Sequence, residues 1–264
     1  MTTDWKEAAR LFFSTRAKDV AEIPSLDDLC WIAGRDPRLW REPSLYEELI
    51  ESIVSQLDLS LHHRLLEVGC AGGFLARGLA SRCREYVGVD VAAPTLEVAR
   101  RLRLPNATFF CEDAAELPFA EASFERVVSY DVFTNFPDFA VAEAVVRQIW
   151  RVLRPGGRGL IGSIPDVEKA EEAAERAHAL GEELTKLHGP PREIPAPFAR
   201  LPFWRRLGRR RISAIEPQIS CFSFSASQFE KLGALLGAAT RISPIHPHNP
   251  YYGCRFNVVY EKPS

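Results

Sequence analysis

The sequence has no pair of cysteines at the Cys-x-x-Cys spacing, although it contains six cysteines in 264 residues. Their scattered positions argue against a zinc knuckle or a disulfide framework, and they favour a reduced, cytoplasmic protein. No apolar run approaches the roughly 20 residues that cross a bilayer. The polar first residues are also unlike a signal peptide. We therefore expect no association with a membrane.

The chain also lacks a large excess of charge, since its formal net charge is −2. This balance gives no overall attraction to nucleic acid, so we expect no nucleic-acid partner. Internal repeats and low-complexity tracts are missing as well. Hydrophobic residues make up 46% of the chain, which is enough to build a core.

Apolar runs alternate with segments of helical spacing between residues 64 and 163. This alternation predicts a parallel sheet with right-handed crossovers, in which a ligand binds beyond the carboxyl ends of the strands. We predict a doubly wound α/β fold with a mostly parallel seven-stranded sheet and an antiparallel last strand. The predicted strands are 64–68, 85–90, 107–111, 126–131, 158–163, 240–245 and 255–260.

The first predicted strand ends in an acidic residue, Glu67, and is followed by a turn of small residues over 69–73. Such a turn brings backbone N–H groups close to a ligand. The next strand ends in Asp90, where an acidic side chain would hold a ribose. These two features predict a cofactor that contains a nucleoside.

The glycine pattern distinguishes between two cofactor classes. A dinucleotide fingerprint needs glycine at the positions held by Gly69, Ala71 and Phe74, and only the first one fits. The pattern that does fit is acidic-x-Gly-x-small-x-Gly, formed by Glu67, Gly69, Ala71 and Gly73. It resembles the class I S-adenosylmethionine-dependent methyltransferases, with alanine in place of the usual middle glycine.

Three further segments fall in the order that this family requires, at 109–119, 124–131 and 151–157. The resemblance implies that S-adenosylmethionine is the cofactor and S-adenosylhomocysteine the product. It places the glycine turn at the methionine part, Asp113 at the adenine amine and the Ala114 N–H at a ring nitrogen. The implied cofactor-binding residues are Glu67, Gly69, Ala71, Gly73, Asp90, Val91, Asp113, Ala114, Ser129 and Tyr46, the last of which is also explained as a buried packing residue.

Two segments outside the sheet are predicted to form helical lids. We divide the chain into an N-terminal lid at 1–44 and a methyltransferase domain at 45–264, with 166–216 inserted as a cap. The cap contains five arginines within 205–211. These arginines are explained either as a solvated surface or as a binding site for an anionic acceptor.

Methyl transfer leaves no obligatory catalytic signature in a sequence, because its main requirement is to hold the nucleophile against the methyl group. If the acceptor is a hydroxyl, Asp131, His246 or His248 could take its proton, although each is also explained as a structural residue. The carboxylates after the fourth strand are too isolated for a metal site, so none is expected. The predicted acceptor-binding residues are Tyr130, Asn135, Trp204, Arg205, Tyr251 and Tyr252.

The sequence thus predicts methyl transfer by direct displacement to an oxygen or nitrogen atom of a small or medium-sized metabolite, such as a natural product or a sugar derivative. The acceptor could be anionic. One alternative is an NAD-dependent oxidoreductase, which Phe74 disfavours. Another is a non-catalytic protein that keeps the methyltransferase fold as a scaffold.

Overall fold

The computed structural model of the protein describes residues 5–193 and 222–264. A seven-stranded sheet has the order β3-β2-β1-β4-β5-β7-β6, and β7 is antiparallel to both of its neighbours. The strands are β1 (Arg64–Val68), β2 (Glu85–Asp90), β3 (Ala107–Cys111), β4 (Phe124–Tyr130), β5 (Leu153–Pro165), β6 (Ala239–Pro244) and β7 (Arg255–Glu261). The predicted fold class is confirmed.

Helices lie between and before these strands in the described parts of the chain. They are α1 (Trp5–Arg16), α2 (Leu26–Ile32), α3 (Pro43–Leu57), α4 (Ala76–Leu79), α5 (Ala93–Arg101), α6 (Phe139–Val152), α7 (Ala170–His188) and α8 (Ala226–Leu236). None of these described helices is long and apolar enough to cross a bilayer.

The sheet is buried on both faces, because successive side chains of a strand point in opposite directions. In β1, Leu65 packs into one hydrophobic cluster with α2 to α5, whereas Leu66 and Val68 pack into a second cluster with α6 and α8. The strand order reverses between β1 and β4. Ligands of doubly wound sheets bind beside this reversal.

The spacing of Ser44 and Glu47 is that of a capping box, but α3 already begins at Pro43, and Glu42 is its N-cap residue without a side-chain cap. Proline suits the first turn because it has no N–H to satisfy. Strands β4, β6 and β7 differ from their predicted bounds by one or two residues. The largest difference is in β5, which begins at Leu153 rather than at 158. Pairing of Leu153 with Phe124 recruits the segment before Gly156 into the sheet, across an irregularity in the register.

The predicted cap segment is only partly described. It includes a helix, α7, that ends before Gly189. Trp204, Arg205 and the arginine cluster at 205–211 lie outside the described residues.

Candidate functional site

The turn after β1 depends on glycine at its first position. Gly69 has a φ of +81°, and a Cβ atom there would lie 2.4 Å from Cγ2 of Val132. Both the left-handed backbone and the close neighbour require the absence of a side chain. Ala71 also adopts a positive φ, of 44°. The turn therefore keeps its shape although alanine stands at the middle position.

Asp90 fastens this turn to the end of β2. One carboxylate oxygen accepts a hydrogen bond from the backbone N–H of Ala71 and the other from that of Ala92, each at 2.9 Å. Burial raises the pKa of Asp90, while these N–H groups act in the opposite direction. A carboxylate has about four acceptor positions. The N–H of Val91 acts on the same carboxylate, so about one position is left for a ligand hydroxyl.

Glu67 lies at the end of β1 and is only 3% exposed. It accepts a hydrogen bond from the hydroxyl of Tyr86. Burial raises the pKa of Glu67 to about 8, the charge of Arg35 lowers it, and the charge of Asp90 raises it. A buried carboxyl group of this kind favours a positively charged ligand group, which would stabilise its ionised form.

The acidic residues at the ends of β1, β2 and β3 line one cavity. Its empty volume is about 980 Å³, including the solvent at its mouth, and lies within the usual range for a site that binds a small molecule. Of the predicted cofactor-binding residues, the structure brings together Glu67, Gly69, Ala71, Asp90, Val91, Asp113 and Ala114 around this cavity.

Helix α1 covers the β3 side of the cavity with Trp5, Lys6 and Ala9. The ammonium group of Lys6 lies 2.5 Å from a carboxylate oxygen of Asp113. The N–H of Ala115 also donates to Asp113. Although burial acts to raise it, these hydrogen bonds hold the pKa of Asp113 below its usual value. Asp113 is therefore an ionised acceptor at the rim.

Arg35, in the segment after α2, reaches into the same cavity. Its guanidinium group lies 4.4 Å from the ring centre of Phe74 and 2.6 Å from Oδ2 of Asp131. Nε of Arg35 is buried and has no hydrogen-bond partner within the described structure. The contribution of Arg35 to the cavity wall is therefore the positive charge of its guanidinium group.

A second cavity, of about 1160 Å³, adjoins the first. Five residues line both cavities: Phe13, Ala33, Arg35, Asp131 and Asn135. The opposite wall of the second cavity comes from α7, through Ala177, Leu180, Gly181 and Leu184. Polar side chains lie at the junction and along part of the second cavity, whereas α7 supplies an apolar surface. This arrangement suits a partly apolar molecule with one polar group at the junction.

Asp131 is held between two guanidinium groups at this junction. Arg35 binds one of its oxygens, and Arg255, from β7, binds the other at 2.9 Å. Arg255 also lies over the ring of Tyr251, 4.7 Å from its centre. Both oxygens of this carboxylate are therefore engaged by side chains of the protein. The structure thus gives Asp131 an alternative role, the placement of Arg35 and Arg255.

Tyr130 lies on the sheet at the end of β4 and lines the first cavity. Its ring covers Gly162 of β5 so closely that a Cβ atom on Gly162 would lie 2.1 Å from Cδ2 of Tyr130. Burial raises the pKa of the Tyr130 hydroxyl, so it stays protonated. Tyr130 is thus a fixed wall, and Asn135 lies at the junction of the two cavities.

Several predicted site residues line neither of these two cavities. Tyr46 packs against Phe74 and donates its hydroxyl hydrogen to the Phe74 carbonyl oxygen, 2.8 Å away. Ser129 is fully buried and donates to the carbonyl of Val68. Gly73 lies behind the turn, where a Cβ atom would meet Leu102. The contacts of these three residues are packing contacts and internal hydrogen bonds. They agree with the explanation of Tyr46 as a buried packing residue.

The predicted site residues in the loop between β6 and β7 face two different parts of the structure. Tyr251 lines the second cavity. In contrast, His246 and Tyr252 border a surface depression next to α3, and His248 faces Glu48 of that helix. The histidines are therefore remote from the junction, and their position does not support the prediction that they act as a base there.

Sequence reasoning missed Lys6, Arg35 and Arg255 as site residues. Arg35 stands in a Gly-Arg-Asp-Pro segment that predicts only a break between helices. Arg255 begins the last strand, and Lys6 lies on a helix with ordinary amphipathic spacing. No local signal marks any of them, because each reaches the site through contacts between segments that are distant in the chain.

The chain is similar in sequence to known proteins. Residues 66–161 match a protein family described as "Methyltransferase domain". The methyltransferase GfsG of Streptomyces halstedii is 36% identical over 138 residues, which cover 47% of this chain and 49% of that protein. The 27-O-demethylrifamycin SV methyltransferase of Amycolatopsis mediterranei is 32% identical over 142 residues, covering 50% and 51%. The chain thus spans about half the length of these relatives.

Similarity in three dimensions extends over nearly the whole chain. The magnesium protoporphyrin IX methyltransferase ChlM from Synechocystis PCC 6803, solved with bound S-adenosylmethionine, superposes with a TM-score of 0.58. The match covers 99% of this chain and 98% of that one, at 13% identity. At this level of identity the match establishes the fold.

Proposed function

We propose that this chain, which belongs to the class I S-adenosylmethionine-dependent methyltransferases, binds that cofactor in the first cavity. The methyl group would pass to an oxygen or nitrogen atom of a small or medium-sized metabolite in the second cavity. One observation carries the proposal. The acidic ends of three adjacent strands meet at a single cavity, which opens onto another cavity of similar volume.

The residues around the first cavity fit the cofactor. Asp90 keeps an acceptor position for a ribose hydroxyl, and Asp113 offers a carboxylate for the adenine amine. Buried Glu67 would face the positively charged methionine part. The guanidinium group of Arg35 supplies positive charge for a carboxylate. These residues thus complement the ribose, the adenine amine and the methionine part of the cofactor.

The second cavity supports a partly apolar acceptor. Its α7 wall is formed by alanine, leucine and glycine side chains. The two guanidinium groups at the junction are already paired with Asp131, so an anionic acceptor would compete with that carboxylate. We therefore favour a natural product of low charge over a sugar derivative. The name of the rifamycin relative specifies transfer to an oxygen atom, which supports a hydroxyl acceptor.

The chain would act by positioning the reactants and excluding water. S-Adenosylmethionine, when bound, supplies an electrophilic methyl group. Asn135 and Tyr130 would confine the acceptor at the junction, while α1 and α7 cover the two cavities. Such confinement replaces a bimolecular encounter by a nearly unimolecular step and accounts for much of the rate enhancement. No described residue at the junction is an obvious base, so the proton of a hydroxyl acceptor would leave through solvent or with help from the acceptor itself.

Calorimetry tests the cofactor, with S-adenosylhomocysteine and NAD titrated separately into the full chain. We expect binding of the first and none of the second. Binding of NAD alone would instead favour the oxidoreductase. Turnover is then tested with methyl-labelled S-adenosylmethionine and a panel of phenolic and polyketide acceptors, with sugar derivatives as the comparison class. Cofactor binding without methyl transfer to any panel member would favour the scaffold alternative.

A further inference from the structure

We propose that Glu48, His246 and His248 form a binding site for a divalent transition-metal ion of the zinc class. The site joins α3 to the loop between β6 and β7, at the surface and away from the methyl-transfer junction. It does not depend on the proposed function, because none of the three side chains lines either large cavity.

The three side chains present their ligand atoms to one point. Nδ1 of His248 lies 2.9 Å and Nδ1 of His246 lies 3.5 Å from the same oxygen, Oε2 of Glu48. All three ligand atoms lie within 4.8 Å of one another. Zinc binds nitrogen and oxygen at about 2.0–2.2 Å, so the edges of a tetrahedral site are about 3.3–3.5 Å long. The distance from His246 to Glu48 matches this value. The distance from His248 to Glu48 is shorter, and the 69% exposed side chain of His248 has room to adjust it.

Both imidazoles turn the same ring atom, Nδ1, toward one carboxylate oxygen of Glu48. A cation bound between these three atoms would be ligated by two nitrogens and one oxygen.

The ligand set also defines the class of metal. Two imidazoles and one carboxylate suit zinc, nickel, copper or iron, whereas magnesium and calcium prefer oxygen ligands. Three protein ligands leave a fourth position for water, as in open zinc sites. Glu47 and Glu51 border the same surface depression, and their negative charge attracts a cation.

The position of the site gives the metal a structural consequence. Glu48 lies on the rigid helix α3, whereas both histidines belong to the loop that also carries Asn249 and Tyr251. These last two residues line the second cavity. A bound ion would therefore restrain one wall of the acceptor cavity without contacting the acceptor.

Zinc binding to the full chain tests the site, measured by calorimetry and by the visible absorption of Co²⁺ in its place. We expect one ion per chain with the tetrahedral Co²⁺ spectrum, and an affinity at least tenfold lower in His246→Ala and in His248→Ala. Zinc should also raise the melting temperature of the wild type and leave that of the double variant unchanged. These side chains lie on a surface loop, and circular dichroism checks that the variants fold.

His178→Ala is the matched control. His178 is an exposed histidine that lies 3.7 Å from a carboxylate, that of Glu182, on α7. It should bind zinc like the wild type. Equal zinc affinity in the wild type and the His246/His248 double variant would assign the metal to other groups, such as cysteines, and overturn the proposal. The absence of any zinc binding by the wild type would overturn it equally.

Discussion

Arg35 and Asp131 form an ion pair with a distance of 2.6 Å between Nη2 and Oδ2, and both side chains line both large cavities. Arg35 comes from the segment before α3, and Asp131 follows β4. The pair therefore joins the N-terminal helices to the centre of the sheet, at the point where cofactor and acceptor would meet.

Loss of either partner of this ion pair should weaken catalysis to a similar degree. For Arg35→Ala and Asp131→Asn we expect kcat/KM to fall by about 10- to 150-fold, since a hydrogen bond to a charged group contributes about 1.5–3 kcal/mol. The pH profile of Asp131→Asn should keep the wild-type shape, because the residue acts by placing Arg35 and Arg255. Steady-state kinetics over a range of pH checks this.

The control for this prediction is Arg82→Ala, which removes an exposed ion pair with Glu51. Exposed pairs contribute little, about 0–1 kcal/mol, so activity should stay near the wild-type level. A much larger loss in Asp131→Asn than in Arg35→Ala, together with the disappearance of one limb of the pH profile, would restore Asp131 as the general base.

Asp90 should be the carboxylate on which cofactor affinity depends most directly. Asp90→Ala is expected to weaken S-adenosylhomocysteine binding by about 1–3 kcal/mol through the loss of charged hydrogen bonds. The substitution also removes the acceptor for the N–H of Ala71, so the shape of the turn will change too. Calorimetry measures the effect, with Glu97→Gln on the exposed face of α5 as the control. Unchanged affinity in folded Asp90→Ala would remove this residue from the site.

Glu67 should make the protein less stable as the pH rises. Its folded-state pKa is about 8, whereas an unburied glutamate titrates near 4.5. Between these values the folded protein keeps a proton that the unfolded chain releases. The contribution of Glu67 to the free energy of unfolding should therefore be largest below about pH 4.5. Between about pH 4.5 and pH 8 this contribution should fall by up to about 1.4 kcal/mol per pH unit. Urea unfolding at several pH values measures this slope.

Glu67→Gln provides the comparison for that experiment, because glutamine has nearly the same shape and does not titrate. We expect its unfolding free energy to be flatter than that of the wild type over the same window. Parallel pH dependences in the two proteins would show that Glu67 is ionised in the native state.

Cofactor binding should protect helix α1 from hydrogen exchange. Trp5, Lys6 and Ala9 form one wall of the first cavity, so a ligand there would add contacts to a helix at the edge of the fold. We expect amide exchange in α1 to slow about tenfold or more with S-adenosylhomocysteine. Helix α8 lines neither cavity and serves as the internal control. Equal exchange of α1 with and without a bound ligand would contradict its predicted role as a lid.

Gly69→Ala should destabilise the fold by about 1–3 kcal/mol, since its positive φ and the contact with Val132 both oppose a side chain. Gly181→Ala is the matched control. It lies inside α7, and a Cβ atom there meets nothing within 4 Å, so alanine should stabilise the helix by about 0.5–1 kcal/mol. Thermal unfolding of both variants measures the difference, and a Gly69 variant as stable as the wild type would refute the packing argument.

The sheet could be predicted well because its signals are local. Strands β1, β2 and β3 begin and end at the predicted residues, and the ends of β1, β2 and β3 carry the acidic side chains that line the cavity. Each signal depends on an apolar run and on the residue that follows it. Such information is contained in a few consecutive positions.

The residues that reach the site from other elements could not be predicted in this way. Arg35 enters the cavity because α2 packs on the sheet, and no neighbouring residue in the chain indicates this contact. The histidines of the β6–β7 loop are the opposite case, because the sequence predicted them as site residues and they do not line either large cavity. The topology places their loop at the correct edge of the sheet, but the path of the loop turns them toward Glu48 and turns Tyr251 toward the cavity.

The close contact between the ring of Tyr130 and Gly162 constrains how this protein can evolve. Any change that adds a side chain at position 162 removes the space in which the ring lies. Homologues that carry a larger residue there should have a smaller one at position 130, so the two positions are expected to vary together. Selection for a bulkier acceptor would then act through a matched pair of substitutions on neighbouring strands.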